Sequence, residues 1–442
     1  MATSGVADVE KHAYVLVTGA NSGLGYSICC RLADEFLTSR QNDLLSLTVV
    51  FTTRSSRKGN DTLRSLQNYL RTREPSAAAR VTFVPENADL CNLLSVRALS
   101  RRLNKNFPKL DAVVLNAGIG GWTGLNWPLA VWTVVTDLVH AVSWPAFKIA
   151  PAGVITDKQT SFLEDKEPRL GNVFCANVFG HYMLTHNVMP LLHKSGSPKG
   201  PGRVIWVSSH EATIKLFDFD DIQGLRTVTP YESSKTLTDV LSLTSNLPST
   251  APWVKAFYST DFTNSDPASS ESYQAPNTYL SHPGVCATAI VPLALPLHYA
   301  MIAACWLARL LGSPWHNLTS YVGAHAIVWF VLAAQSTLDT AEEPYIRHGG
   351  GRAKWGTSTT RTGRVVVAST EVEGWGYGGV VGPAFVEEDR HRRRKRGATD
   401  LTKEEKEQFE ELGRKCWQHM EELRVQWDEI LDKEEAATRV RE

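Results

Sequence analysis

The chain has 442 residues, enough for one large α/β domain with additions or for two domains. Its 46 Lys and Arg residues balance its 46 Asp and Glu residues, so no overall positive field would draw the protein to nucleic acid. Seven cysteines are scattered without C-x-x-C spacing. This pattern excludes a disulfide framework, fits a reducing compartment, and gives no reason to expect a metal site.

Two stretches bear on targeting and membranes. Residues 1–12 are polar and short, so we expect no signal peptide. No window of about 20 residues is apolar and free of Pro and charge, as a membrane-spanning helix requires. The nearest candidate, Ala287–Leu311, is interrupted by two prolines, a histidine and Arg309. The interruptions favour a surface-seeking segment, and spanning or internally packed arrangements stay open.

The first chemical motif is a strand, a glycine-rich turn and a helix. The apolar run Tyr14–Thr18 predicts a buried strand, and a helical pattern follows. Between them, Gly19 permits a tight turn, Gly23 lets the backbone approach a pyrophosphate, and Gly25 allows close helix packing. A purely structural turn is the alternative, but this placement favours a dinucleotide site. The candidate contacts are Gly19, Asn21, Ser22, Gly23, Leu24 and Gly25.

The end of the second strand bears on cofactor choice. The run Leu47–Thr53 predicts this strand, and Arg54 follows it. Enzymes that use NAD place an acidic residue here for the ribose 2′-hydroxyl, whereas a guanidinium suits a 2′-phosphate. The sequence therefore favours NADP(H) over NAD, with a solvated basic loop as the alternative.

Two more strands end at candidate cofactor contacts. Asp89 follows the strand Val81–Val84, where its carboxylate could hold the adenine amino group or cap the next helix. Asn116 follows the strand Ala112–Leu115 in a small turn that leaves room for a cofactor at the carboxyl edge of the sheet.

A long apolar insert follows, at 120–169. It is rich in Trp and Pro, and a structureless loop of this length inside a compact domain would be unusual. It could fold over the active site as an apolar lid, present a surface to a membrane or partner, or pack locally against the core.

A proton-transfer group is predicted at Ser209, Tyr231 and Lys235. Ser209 ends a fifth strand, Arg203–Val207, and Tyr231 and Lys235 lie four residues apart on a helix and so project from one face. A nearby ammonium lowers the pKa of a phenol, which makes it a usable acid or base. A serine hydroxyl can hydrogen-bond the same carbonyl oxygen. Because Tyr-x-x-x-Lys is common by chance, the motif alone does not indicate catalysis. Its position after these strands is what favours a catalytic role.

The remaining patterns complete the predicted architecture. The helix Asn172–Leu192 carries Asn177, which could hold a water that relays protons to Lys235, although such an Asn more often faces solvent. With the strand Thr278–Ser281, the alternation predicts a Rossmann-like, doubly wound parallel α/β sheet with an apolar insertion and a C-terminal helical extension. We expect a catalytic domain at 1–290, an apolar, potentially membrane-associated helical segment at 291–335 and an extension at 336–442.

The C-terminal region is dominated by charge. Thr402-x-x-Glu405 is a capping box, and it opens a helix expected at about 402–435 with an apolar stripe along one side. The stripe would dock onto the core or onto a partner. The polar insert 259–274 looks flexible, and the basic run 390–396 suits a solvated linker or anionic lipid headgroups.

Together these motifs resemble the short-chain dehydrogenase/reductase family. They are Thr18-Gly19-x-x-x-Gly23-x-Gly25, Asn116-Ala117-Gly118, Asn177, Ser209 and Tyr231-x-x-x-Lys235, in this order. The closer resemblance is to the fungal 3-keto-steroid reductases of ergosterol biosynthesis. It rests on the stretches 176–180, 231–235, 308–317 and 427–429 and covers nearly the whole chain except 259–274 and 390–396.

The resemblance implies a role for each site residue. Tyr231 would be the proton donor, Lys235 would lower its pKa and hold the nicotinamide ribose, and Ser209 would orient the ketone. Ser208 is the weaker candidate for the last role. Asn177 would hold the relay water. Val285 and Thr288 would complete the cofactor contacts.

The implied activity is NADPH-dependent reduction of a sterol 3-ketone to the 3β-alcohol during sterol C-4 demethylation. A 17-keto steroid or retinoid reductase would carry the same catalytic motifs, and a docking subunit for membrane sterol enzymes is a further alternative. The expected partners are a 3-keto sterol, other C-4 demethylation enzymes and a membrane surface. The expected location is the cytoplasmic face of the endoplasmic reticulum membrane, with lipid droplets as a second site.

Overall fold

An eight-stranded sheet forms the centre of the protein. The computed structural model describes residues 11–39, 45–76, 78–161, 163, 167–196, 200–259, 275–287, 295–386, 394 and 398–441. The predictions for 260–274, for Thr288 and for all of the basic run except Arg394 fall outside these residues.

The sheet has the predicted doubly wound order. In chain order its strands are β1 (His12–Val17), β2 (Ser46–Thr53), β3 (Val81–Asn87), β4 (Ala112–Leu115), β5 (Arg203–Val207), β6 (Asn277–His282), β7 (Lys354–Thr359) and β8 (Val365–Thr370). Across the sheet they run β8-β7-β6-β5-β4-β1-β2-β3, and only the β7–β8 pair is antiparallel. The winding reverses between β1 and β4, and the carboxyl ends of strands at such a point are where α/β proteins bind ligands.

Helices cover both faces of the sheet. In chain order they are α1 (Gly23–Thr38), α2 (Ser56–Arg73), α3 (Leu93–Asn106), α4 (Trp127–Thr136), α5 (Leu138–Ser143), α6 (Gly180–Asn187), α7 (Met189–Leu192), α8 (Pro230–Thr244), α9 (Ala251–Tyr258), α10 (Leu295–Leu310), α11 (Ser320–Gly323), α12 (His325–Leu332), α13 (Gln335–Arg347) and α14 (Lys403–Arg441). Helices α1, α2 and α12 pack on one face, and α3, α6, α8 and α14 belong to the core on the other. Alternate residues of each strand point to opposite faces of the sheet, each of which has its own hydrophobic core. In β1, Leu16 packs in one core and Val17 in the other.

The catalytic sheet extends beyond residue 290, where the sequence placed the end of the catalytic domain. Strand β7 pairs in parallel with β6, and β8 then pairs with β7. Helix α12, from the segment expected to be membrane-associated, is largely buried against this part of the sheet. Residues 325–370 are thus part of the α/β core. Without β7, strand β6 would be the edge of the sheet and would expose its backbone hydrogen-bonding groups.

The apolar insert forms small elements and exposes an apolar face. A two-stranded ribbon pairs Gly124–Leu125 with Lys148–Ile149, and α4 and α5 lie between its strands. Helix α5 contacts α10. The exposed apolar residues of α4 and α10 include Trp127, Val131, Trp132, Val135, Leu295, Tyr299, Trp306 and Leu310.

None of the described helices is by itself both long enough and apolar enough to span a membrane. The helices Ser320–Leu332 and Gln335–Arg347 reach that length and apolarity only when taken together, and they are bent by 105° relative to each other.

Helix α14 docks on the core, which is the first of the two arrangements that the sequence left open. The Thr402 hydroxyl accepts a hydrogen bond from the Glu405 amide at 3.1 Å, and the Glu405 carboxylate accepts one from the Thr402 amide at 2.9 Å, which forms the predicted capping box. The buried stripe comprises Phe409, Cys416, Met420, Leu423, Trp427 and Leu431.

Close contacts fix α14 against the catalytic half of the protein. The Trp417 indole donates a hydrogen bond to the Leu241 carbonyl of α8 at 3.1 Å. A Cβ atom at Gly413 would lie 2.5 Å from the Thr244 side chain, so only glycine allows α14 this approach to α8. Arg97 of α3 forms an ion pair with Asp428 at 2.7 Å. The helix therefore supports the elements that carry the active site.

Replacing Trp427 by Ala tests this support. Trp427 is fully buried, so we expect the truncation to lower the free energy of unfolding by about 3–5 kcal/mol. Chemical denaturation measures the change. The matched control is Val425→Ala on the exposed side of α14, which we expect to change stability by less than about 0.5 kcal/mol. Equal effects of the two substitutions would contradict a core role for α14.

Candidate active site

Buried hydrogen bonds join the carboxyl ends of β1 and β4. The Thr18 hydroxyl accepts hydrogen bonds from the Asn116 amide at 2.9 Å and from the Ala117 amide at 3.0 Å. The Asn116 side chain donates one to the Thr18 carbonyl at 2.9 Å. The glycine turn and the Asn116-Ala117-Gly118 turn are thereby fixed side by side.

The glycine turn is too tightly packed to hold side chains. Gly19 and Gly23 have φ angles of +69° and +56°, which glycine adopts without a steric penalty. A Cβ atom at Gly19 would lie 2.8 Å from the Ala117 Cα, and one at Gly25 would lie 2.1 Å from the Gly19 carbonyl oxygen. The turn thus presents bare backbone and the start of α1, an arrangement that fits a dinucleotide diphosphate. Asn21 and Ser22 are exposed beside it, and Leu24 is partly buried.

The other predicted cofactor contacts lie at neighbouring strand ends. Arg54 is exposed immediately after β2. Asp89 follows β3, where its carboxylate accepts a hydrogen bond from the Cys91 amide at 2.9 Å, while Asn92 caps α3 through the Ser95 amide. Asn92, and not Asp89, therefore caps α3.

Val285 lies just beyond β6. Its amide donates a hydrogen bond to the Trp315 carbonyl at 2.7 Å in a short parallel pair with His316. Thr288 lies outside the described residues.

The catalytic candidates converge at the end of β5. Tyr231 is the second residue of α8, and its phenol interacts with the Ser209 side chain. The Lys235 Nζ lies 5.9 Å from the centre of the Tyr231 ring and donates a hydrogen bond to the Val207 carbonyl at 2.8 Å. The three side chains thus lie at the same edge of the sheet as the glycine turn.

The pKa of Tyr231 differs from the sequence prediction. The sequence predicted that Lys235 lowers this pKa, but in the structure the pKa is raised. Burial is the largest cause, the Glu211 carboxylate adds to it, and the hydrogen bond from Ser209 partly opposes it. Burial also lowers the pKa of Lys235 to about 8. Tyr231 is therefore held as a protonated phenol, the form needed by a proton donor.

Ser208 and Ser209 face different partners. The Ser208 hydroxyl donates a hydrogen bond to the Asp239 carboxylate and is buried. The Ser209 hydroxyl accepts a hydrogen bond from the Glu211 amide at 3.1 Å and its side chain interacts with Tyr231. The choice of Ser209 over Ser208 stays a prediction.

A buried ion pair beneath the site was missed by the sequence analysis. Lys354 of β7 contacts Asp239 at 2.6 Å and donates a hydrogen bond to the Ser209 carbonyl at 2.8 Å. Asp239 lies four residues after Lys235 on α8, and this spacing could have indicated that they share a face. No local signal connects Lys354, which is far along the chain, to this site.

Asn177 is buried in a π-helical turn. The turn, Cys175–Phe179, follows the short helix Asn172–Phe174 and precedes α6, and a π turn of this kind often marks a functional site. The Asn177 amide group accepts a hydrogen bond from the Ile119 amide at 2.8 Å and donates one to Ser234 at 3.0 Å. Its side chain therefore ties the loop after β4 to α8, and the relay-water role remains a prediction.

Aromatic side chains of the insert surround the catalytic residues. The Trp122 and Tyr231 ring centres lie 4.8 Å apart, and Trp144 packs against His210 at 4.7 Å. The insert therefore lies beside the active site, as the lid alternative predicted. Among the residues that the structure describes, no cluster of His, Cys, Asp and Glu side chains is arranged to hold a metal ion.

Comparison with known proteins identifies the family. The chain is 66% identical over 437 residues to the 3-keto-steroid reductase of Aspergillus fumigatus, covering 97% of each chain. The chain belongs to the 3-keto-steroid reductase family. It is also 40% identical to the 3-keto-steroid reductase of Gibberella zeae, covering 96% of this chain and 95% of that protein. The Schizosaccharomyces pombe 3-keto-steroid reductase is 33% identical over 81% of this chain and 90% of its own length.

The other comparisons contribute less to the family assignment. No family model matches the chain. Among solved structures, salutaridine reductase from Papaver somniferum has 18% identity and a TM-score of 0.41, covering 72% of this chain and 95% of that one. The family assignment therefore rests on the sequence relatives, and it confirms the resemblance found in the motifs.

The Lys354–Asp239 pair gives a stability prediction for this 3-keto-steroid reductase. Both side chains are almost fully buried, so Lys354→Met leaves the Asp239 carboxylate without its direct ion-pair partner and should cost about 3–5 kcal/mol. Urea unfolding measures the loss. Lys354→Met combined with Asp239→Leu should recover part of it, because the carboxylate is then removed together with its partner. A double variant no more stable than Lys354→Met would contradict the pairing.

Proposed function

We propose that this protein reduces the 3-ketone of a sterol to the 3β-alcohol during sterol C-4 demethylation in ergosterol biosynthesis. The observation that carries this proposal is the convergence of Tyr231, Ser209 and Lys235 beside a dinucleotide-binding turn, in a chain 66% identical to a 3-keto-steroid reductase. The protein is an oxidoreductase that uses a nicotinamide cofactor. When bound, the reduced nicotinamide supplies a hydride to the carbonyl carbon.

The chain's own residues handle the carbonyl oxygen. Tyr231 donates its phenolic proton to this oxygen, and Ser209 donates a hydrogen bond that orients it. The raised pKa of Tyr231 keeps the phenol protonated before the reaction. Lys235 places positive charge near the phenol, which stabilises the phenolate left after proton transfer.

NADP(H) is the proposed cofactor. Arg54 is exposed at the end of β2 and suits a 2′-phosphate, and Arg57 and Lys58 add positive charge at the start of α2. The glycine turn would hold the diphosphate, and Asn116 lies beside it.

A docking subunit is the weaker alternative. The C-terminal helix motivated this alternative, but its apolar stripe is buried in the protein's own core. A 17-keto steroid or retinoid reductase would carry the same catalytic motifs as this chain. The relatives named above, however, are 3-keto-steroid reductases, which favours the 3-keto steroid as substrate.

A membrane surface, the cytoplasmic face of the endoplasmic reticulum or a lipid droplet, is the proposed location. Sterols dissolve poorly in water, so an enzyme that acts on them benefits from contact with the bilayer. Helices α4 and α10 supply a suitable surface, with Trp132 68% exposed, Val135 78% exposed and Leu295 73% exposed. Other C-4 demethylation enzymes on the same membrane are the proposed protein partners.

Replacing Tyr231 by Phe tests the function directly. We expect wild-type protein to consume NADPH and convert a 3-keto sterol to its 3β-alcohol, and the variant to lose about 100-fold or more in kcat, because the proton donor is absent. Product analysis by mass spectrometry measures turnover. Tyr299→Phe, at an exposed position of α10, is the matched control and should retain activity. A fully active Tyr231→Phe variant would show that the catalytic assignment is wrong.

Arg54→Glu tests the cofactor choice. Loss of a guanidinium that pairs with a 2′-phosphate should raise the KM for NADPH about tenfold or more, while the KM for NADH stays the same or falls. Steady-state kinetics with both cofactors measure the effect. Arg64→Glu changes an exposed arginine of α2, the helix that follows Arg54, and should affect neither value. Equal changes for both cofactors would count against a 2′-phosphate contact.

Charge placed on α4 tests the membrane surface. The combined substitution Trp132→Glu and Val135→Glu removes two exposed apolar side chains, so we expect binding to phosphatidylcholine vesicles to fall at least about tenfold. Co-sedimentation measures binding. Val425→Glu adds a charge at an exposed apolar position of α14 and serves as the control. Unchanged binding by the α4 variant would exclude α4 from the membrane surface.

A further inference from the structure

A lysine of the insert is buried beside the catalytic tyrosine. Lys148 lies in the two-stranded ribbon, and its side chain is 5% exposed. Its Nζ lies 4.1 Å from the centre of the Trp122 ring and 5.5 Å from the centre of the Tyr231 ring. The ammonium group is therefore within cation–π distance of both rings.

Two carboxylates from the catalytic elements hold this ammonium group. Lys148 pairs with Glu232 at 2.9 Å and also forms an ion pair with Glu211. Glu232 follows Tyr231 on α8, and Glu211 lies two residues after Ser209. One positive charge thus connects the insert to both segments that carry the proton-transfer group.

Stability alone does not account for this arrangement. Burying an ammonium group carries a large desolvation penalty, and well-packed apolar residues often replace a buried ion pair without loss of stability. Apolar side chains at positions 148, 211 and 232 together would fill the same space without that penalty. A charge at this position is therefore better explained by its effect on the neighbouring Tyr231.

We propose that Lys148 is a positioning residue of the reductase, whose ammonium group fastens the insert across the catalytic site and holds the Tyr231 ring and both carboxylates for proton donation to the substrate ketone. This proposal rests on the proposed function. Without Lys148, two carboxylates would face Tyr231 with no neutralising charge, and Trp122 would lose the link that holds the insert against the ring.

The titration of Glu211 supplies an independent readout. The groups that face its carboxylate are Lys148 from the insert and Glu232 and Tyr231 from α8. Burial raises its pKa to about 7, Lys148 lowers it, and Glu232 raises it. Removing Lys148 should therefore raise this pKa, and removing the charge of Glu232 should lower it. These shifts appear in the pH dependence of catalysis only if the charges around Glu211 act on the proton donor, which a purely structural role for Lys148 would not require.

The experiment compares Lys148→Met, Lys148→Arg and Glu232→Gln in the full-length protein. Each variant is assayed for kcat and KM with a 3-keto sterol and NADPH across a pH series, and NADPH binding is measured by fluorescence. Circular dichroism checks that each variant is folded. The control is Lys403→Met, which removes a lysine from an exposed ion pair on α14.

The expected result has three parts. In Lys148→Met, kcat falls at least about tenfold while the Kd for NADPH changes less than about threefold, and the inflection of kcat/KM near pH 7 moves up by about one unit. In Lys148→Arg, kcat and the inflection stay close to wild type because the charge is kept. In Glu232→Gln, the inflection moves to lower pH, which assigns the inflection to the Glu211 carboxylate that Lys148 contacts, and this coupling can be tested even if Lys148→Met fails to fold.

Other outcomes would overturn the proposal. Wild-type activity with an unchanged kcat and pH profile in Lys148→Met would show that Lys148 only fills space, and equal losses in Lys148→Met and Lys148→Arg would show that its charge is irrelevant. A Glu232→Gln variant with no shift would exclude the carboxylate coupling. Wild-type protein that reduces no 3-keto sterol would instead overturn the proposed function on which this inference depends.

Discussion

The arrangement of the site depends on the hydrogen bonds that Thr18 makes across the ends of β1 and β4. Its hydroxyl accepts from the amides of Asn116 and Ala117, and His181 contacts the same oxygen at 2.9 Å. Burial lowers the pKa of His181 to about 3, so this imidazole stays neutral and adds no charge to the site. These buried bonds hold the glycine turn at a fixed position relative to the Asn116-Ala117-Gly118 turn and to α6, because an unpaired polar group here would be costly.

The proton-transfer group lies between two buried sets of charges. On one side, Lys354 and Asp239 hold the Ser209 carbonyl and the Ser208 hydroxyl, which fixes the loop after β5. On the other side, Lys148 brings Glu211 and Glu232 close to the Tyr231 ring. The first lysine comes from the last part of the sheet and the second from the insert. Of these two additions to the basic α/β plan, one thus fixes the serine loop and the other holds the carboxylates beside the phenol.

Local patterns predicted most of the fold and the central part of the site. The six predicted strands correspond to β1–β6, because each is a short apolar run bounded by turn residues. The glycine turn and the Tyr231–Lys235 pair could be found because their residues are close in sequence. The capping box likewise located the start of α14 correctly.

The features that the sequence analysis missed depend on distant contacts. Strand β7 contains Lys354 and several threonines, so its burial depends on pairing with β6, which the local pattern does not show. The pKa of Tyr231 was misjudged because burial and Glu211 raise it, and neither is visible in a Tyr-x-x-x-Lys motif. Lys148 was missed for the same reason.

The central claim is that this site delivers a hydride to C3 of a sterol and a proton to the C3 oxygen. The most direct measurement is reduction of a 3-keto sterol by the purified protein with NADPH in which both hydrogens at C4 of the nicotinamide are deuterium, followed by mass spectrometry of the sterol. The account predicts a 3β-alcohol with one deuterium at C3. Formation of an alcohol without deuterium, or no alcohol from any 3-keto sterol, would contradict it.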